Sequence, residues 1–76
     1  MKLADTVKTK SVHLKPGDRI ERYSYEKGMW WIDTIVNMEP YTWPNGKAGF
    51  RIYWERGCDG YKSTLCVRGT HFNKVV

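Results

Sequence analysis

Residues Leu14–Glu39 read LKPGDRIERYSYEKGMWWIDTIVNME, and this stretch decides the fold. Lys15-Pro16-Gly17-Asp18 opens it as a turn. Proline presets φ near about −65° and glycine accepts positive φ, the chemistry of a type II turn. Arg19 to Tyr25 follows as a strand anchored by Ile20, with Tyr23 and Tyr25 on the opposite parity. Glu26-Lys27-Gly28 turns the chain again, and Met29 to Glu39 then alternates. Trp30, Ile32, Thr34, Val36 and Met38 share one face; Met29, Trp31, Asp33, Ile35, Asn37 and Glu39 share the other. The first set is expected in the core and the second in water. The density of Trp, Ile, Val and Thr favours a strand over a helix.

Working outward, residues 1–10 are polar and are expected to form a flexible lead-in, with a strand starting near Val7. Val12 and Leu14 alternate with Ser11 and His13 as a short first strand. Downstream, Pro40 to Ala48 (PYTWPNGKA) holds two prolines and Asn45-Gly46 and reads as a loop. Gly49 to Glu55 is a strand with Phe50, Ile52 and Trp54 inward and Arg51, Tyr53 and Glu55 outward. Arg56-Gly57-Cys58-Asp59-Gly60 is a hairpin loop, Tyr61 to Val67 a returning strand, Arg68 to His71 a turn of 3₁₀ type, and Phe72 to Val76 a last strand. Five or six short antiparallel strands with frequent turns predict an all-β fold, a small barrel occupying residues 11–76 as one domain.

The run Leu14-Lys-Pro-Gly-Asp-Arg-Ile20, followed by Trp30-Trp31, resembles part of an SH3 domain, in which a leucine, a Gly-Asp turn and an aliphatic residue precede a Trp pair. The likeness covers Leu14 to Trp31. It implies a small SH3-like barrel, and it implies that Trp30, the first of the pair, faces ligand. The alternation above places Trp30 inside and Trp31 outside instead. The chain departs from the SH3 pattern on both sides of this stretch. No Ala-Leu-Tyr-Asp-Tyr segment precedes Leu14 and no Pro-x-x-Tyr-Val ending follows Phe50, so binding of proline-rich peptides is not implied.

A chain of 76 residues buries only about 60% of its unfolded surface, so its core is marginal. Four Trp, five Tyr and two Phe compensate. Thirteen Lys and Arg against eight Asp and Glu give a net charge of +5, which favours an acidic partner. No block of like charge marks a basic arm. No apolar leader and no membrane-length apolar run occurs. The two cysteines form no disulfide framework of the secreted kind, so a cytoplasmic setting without membrane attachment is expected.

The candidate binding face follows from the alternation. Trp31, Arg51 and Tyr53 lie outside, joined by Trp43 and Lys47 from the 40–48 loop, and aromatic plus basic side chains suit stacking on bases and neutralising phosphates. Three bland readings compete. The lead-in or the loop can cover this face, Trp43 can act as a lid, and Lys15, Arg19, Lys47, Arg51, Arg56, Lys62 and Arg68 can be ordinary solvated charge. Cys58, Cys66, His13 and His71 are the available zinc ligands, but the cysteines lack the close pairing of structural sites, so no cofactor is expected. Cys66 and His71 lie across a turn without diagnostic spacing, and no enzymatic activity is expected. The first expectation is therefore a non-catalytic module for single-stranded or non-specific nucleic acid. The alternatives are a protein-interaction module or small regulator of a partner protein that meets an acidic or apolar protein surface, and a homodimer formed through the same patch.

Overall fold

A computed structural model describes residues 4–58 and 60–76. Six strands, β1 (Thr6–Lys10), β2 (Arg19–Ser24), β3 (Met29–Thr42), β4 (Ala48–Cys58), β5 (Tyr61–Val67) and β6 (His71–Val75), form one antiparallel sheet in the order β1-β6-β2-β3-β4-β5. The fold is all-β, and the one helical turn among the described residues is 3₁₀, at Ser11–His13. The ladder does not close, because β1 and β5 stand at its two edges. No helix among the described residues is long and apolar enough to cross a membrane.

The bend comes from β3. Its first half pairs with β2, from Arg19 opposite Thr34 to Ser24 opposite Met29. Its second half pairs with β4, from Ile35 opposite Trp54 to Thr42 opposite Ala48. Val36 has no partner across that junction, since Ile35 faces Trp54 and Asn37 faces Tyr53. One extra residue of this kind is a β-bulge, and it exchanges the two faces of a strand. The Pro16-Gly17 turn abuts the same place: Gly17 N donates to the Ile35 carbonyl at 2.7 Å and Ile35 N to the Asp18 carbonyl at 2.9 Å. Gly17 has φ +96°, as the second central position of a type II turn requires, and Asp18 N closes the turn on the Lys15 carbonyl.

The bulge corrects the alternation expected for β3. Asp33 and Ile35 are buried and Trp31 is half-buried, whereas Trp30 and Val36 are 41% and 52% exposed. Past the bulge the faces swap, and Met38 packs against the core as expected. The core itself is Leu14, Ile20, Ile35, Ile52, Trp54 and Cys66, with Met38, Phe50 and Phe72 against it. Trp54 dominates it; burying one such ring contributes about 4–6 kcal/mol before entropy. Its indole Nε1 donates to Thr64 Oγ1 at 2.9 Å, and the Arg22 guanidinium lies 4.0 Å from its ring centroid.

Three boundaries also differ. The strand expected near Val7 covers residues 6–10 of the lead-in and pairs with β6 from Thr6–Val75 to Lys10–His71. Ser11–His13 is a 3₁₀ turn rather than a strand, because buried Ser11 turns its hydroxyl to the Val67 and Arg68 carbonyls, 2.7 and 2.8 Å away. The expected 40–48 loop shrinks to residues 43–47. Pro40 sits inside β3, where the strand beyond the bulge has a ladder partner on one side only and can spare an N–H.

Candidate functional site

On β4 the alternation holds. Ile52 and Trp54 are buried, so Gly49, Arg51 and Tyr53 lie on the outer face, opposite Tyr41, Glu39 and Asn37 of β3 and Val67, Leu65 and Ser63 of β5. Tyr53 donates its hydroxyl to Glu39 Oε1 at 2.6 Å. That carboxylate holds the phenolic proton and raises the Tyr53 pKa above its ordinary value. Arg51 Nε is 4.0 Å from the same oxygen, and its guanidinium lies 5.6 Å from the Tyr41 ring. Tyr41 meets Trp43 edge to face at 5.0 Å. Tyr53, Arg51, Tyr41 and Trp43 thus form one row, edged by Leu65 and Val67, each 41% exposed.

Trp43 reaches this row because its loop is tied back. Trp43 N donates to the Lys47 carbonyl, Gly46 N to the Trp43 carbonyl, and Lys47 N to Asn45 Oδ1. The indole settles over Gly49, where a Cβ would lie 2.7 Å from Trp43 Cζ3. Trp43 is half-buried there, and Lys47 is exposed beside it in sequence at the loop's end.

Trp31 is not part of the row. No hydrogen bond, ion pair or ring contact joins it to Arg51 or Tyr53 among the described residues. It lies 4.7 Å from the guanidinium of Arg56 and lines a recess of about 280 Å³ with Ser24, Lys27, Met29, Arg56 and Cys58. A second hollow of similar size shares Lys27, Arg56 and Cys58 and extends past Glu26 to Tyr61 and Lys62. Trp31 Nε1 is buried with no hydrogen-bond partner. The expected hairpin loop 56–60 is mostly strand, since β4 runs to Cys58 and β5 starts at Tyr61; Asp59 lies outside the described residues.

The sequence reading missed a third cluster. Tyr23 stands opposite Trp30 in the β2–β3 ladder and meets Tyr25 and Trp30 edge to face at 5.1 and 5.2 Å. The three are 37%, 86% and 41% exposed, the most open aromatic group among the described residues. The signal lay in the parity of the two tyrosines against Ile20, and pairing Trp30 with them needed the register.

Among the described residues no three His, Cys, Asp or Glu side chains gather as a metal site would require. Cys58 is half-buried and Cys66 buried, and burial pushes the Cys66 thiol pKa up. Compared with known protein families, curated proteins and solved structures, the chain matches none.

Proposed function

We propose that this chain is a non-catalytic binding module, an SH3-like barrel in architecture, that takes single-stranded nucleic acid on aromatic and basic side chains. The barrel reading is supported by β3, which serves both halves of the sheet, and by Ser11, which ties the chain after β1 to the end of β5. The row Tyr53, Arg51, Tyr41 and Trp43, with Lys47 beyond, carries the binding reading. The Tyr53, Tyr41 and Trp43 rings are half-buried, and the open part of each offers a base a stacking surface; a full base–aromatic stack contributes about 1–3 kcal/mol. Glu39 does not oppose this strongly. Its pair with Arg51 is 4.0 Å long, with side chains 38% (Arg51) and 49% (Glu39) exposed, and exposed pairs contribute only about 0–1 kcal/mol. A phosphate can therefore compete for the guanidinium.

Titrating the protein with a heteropolymeric single strand at low salt tests this. Quenching of Trp fluorescence that weakens in Arg51→Ala supports it, and unchanged fluorescence at excess strand removes it.

The second reading, a protein-interaction module, is favoured by one observation: the exposed Tyr23, Tyr25 and Trp30 cluster, whose composition is that of a binding hot spot. Its affinity would be nearly insensitive to salt.

A further inference from the structure

The cavity that Trp31 lines plays no part in the row on β4, and its chemistry is specific. We propose that it captures one unstacked nucleotide, the base against Trp31 and Met29 and the phosphate between Lys27, Arg56 and Lys62. This inference rests on the nucleic-acid reading above and adds a subsite to it.

Size is the first argument. At about 280 Å³ the recess lies below the range of roughly 300–1,000 Å³ for small-molecule pockets, which leaves room for a base but not for a larger ligand, and the phosphate falls in the adjoining hollow. Chemistry is the second. One end is an indole with a thioether beside it, and the adjoining hollow is bordered by Lys27, Arg56 and Lys62, with Glu26 as the lining carboxylate among the described residues. None of the three cations enters an ion pair among the described residues. Arg56 now rests on Trp31, but a cation–π contact at an exposed site is weaker than a base stacked on an aromatic ring. A base can displace the guanidinium, which then meets the phosphate.

Preorganisation is the third argument. The walls are fixed from beneath: Asp33 accepts the Arg56 and Gly57 amides at 3.0 Å each, and Ser24 accepts the Lys27 amide at 3.1 Å.

The test follows the four indole N–H resonances of uniformly ¹⁵N-labelled protein, with Trp31→Phe assigning the relevant one. The probes are adenosine 5′-monophosphate, uridine 5′-monophosphate, ribose 5-phosphate and a heteropolymeric single strand. Shifts of the Trp31 resonance with the nucleotides and the strand, and much smaller ones with ribose 5-phosphate, are expected. Strand affinity should fall roughly tenfold in Arg56→Ala/Lys62→Ala, with the salt slope shallower by about 0.7 for each phosphate that is no longer neutralised. Ribose 5-phosphate acting as well as the nucleotides would overturn the base pocket. Strand binding that leaves Trp31 and the double variant unaffected would overturn the subsite while the general reading stands. Nucleotide binding without strand binding would support the subsite and overturn the general reading.

Discussion

The carboxylate of Asp33 accepts the backbone amide of Arg56 at 3.0 Å, across the interval where the β4–β5 ladder is interrupted between Tyr53 and Cys58. It accepts the Gly57 amide at the same distance and lies 3.9 Å from Arg22 Nη1. Two donors that the interrupted ladder leaves over are thus served by one side chain that is 1% exposed. This explains why an aspartate sits inside so small a core. It also explains how the chain beside the Trp31 cavity keeps its shape.

Asp33→Ala removes the acceptor of two amides and the negative charge beside Arg22. Loss of one member of a buried pair costs about 3–5 kcal/mol. Urea denaturation should show a loss of that order, with Ile35→Val costing only about 0.5–1.5 kcal/mol as the reference for a small core change. An Asp33→Ala loss below that reference would disprove the assignment.

Tyr53 titrates late because its proton is held by Glu39. The folded pKa is raised above the unfolded one, so folding is favoured by the protonated form. The contribution is fully present below the ordinary tyrosine value of 10.0 and is lost as pH rises through the higher folded value. Tyrosinate absorbance of the wild type minus that of Tyr53→Phe should therefore show one phenol ionising above pH 10.0. A difference curve centred at or below that value would contradict the hydrogen bond.

Gly49 is required by close approach. A Cβ there would collide with the Cys66 carbonyl oxygen and sit 2.7 Å from Trp43 Cζ3. Backbone cannot yield as a flexible side chain does, so Gly49→Ala should cost at least the ~1–3 kcal/mol of an overpacked core. Thermal denaturation reads this. Gly46→Ala is the contrast: nothing lies within 4 Å of its Cβ, although its φ of +90° carries a conformational cost of about 1–2 kcal/mol.

The two thiols should separate kinetically. Cys66 is 7% exposed with its pKa raised by burial, and Cys58 is half-buried at the cavity. Since the thiolate is the nucleophile, a neutral-pH disulfide reagent should modify Cys58 first. In Cys58→Ser the remaining thiol should react only as the fold opens. Equal rates would contradict the burial of Cys66.

Much of this architecture was legible in the chain. The Pro16-Gly17 turn, the run Tyr61 to Val67, and the inward set Ile52 and Trp54 follow from local chemistry, and the structure places them as read. The faces of β3 were not legible, for two reasons. The extra residue at Val36 is set by hydrogen bonds from the distant Gly17 turn, and Asp33 is buried because amides more than twenty positions later require it. The start of β1 near Val7 was legible but its pairing was not, since Val7 is 52% exposed and the strand is held by its ladder rather than by apolar alternation. For the candidate site, Arg51, Tyr53 and Trp43 do converge, whereas Trp31 depended on the parity that the bulge reverses.

The most direct measurement of the central claim is the affinity for a labelled single strand across a salt series. Binding that weakens linearly in log–log form, by about 0.7 per neutralised phosphate, is the predicted result. Affinity that stays level as salt rises, or no binding at low salt, would contradict it.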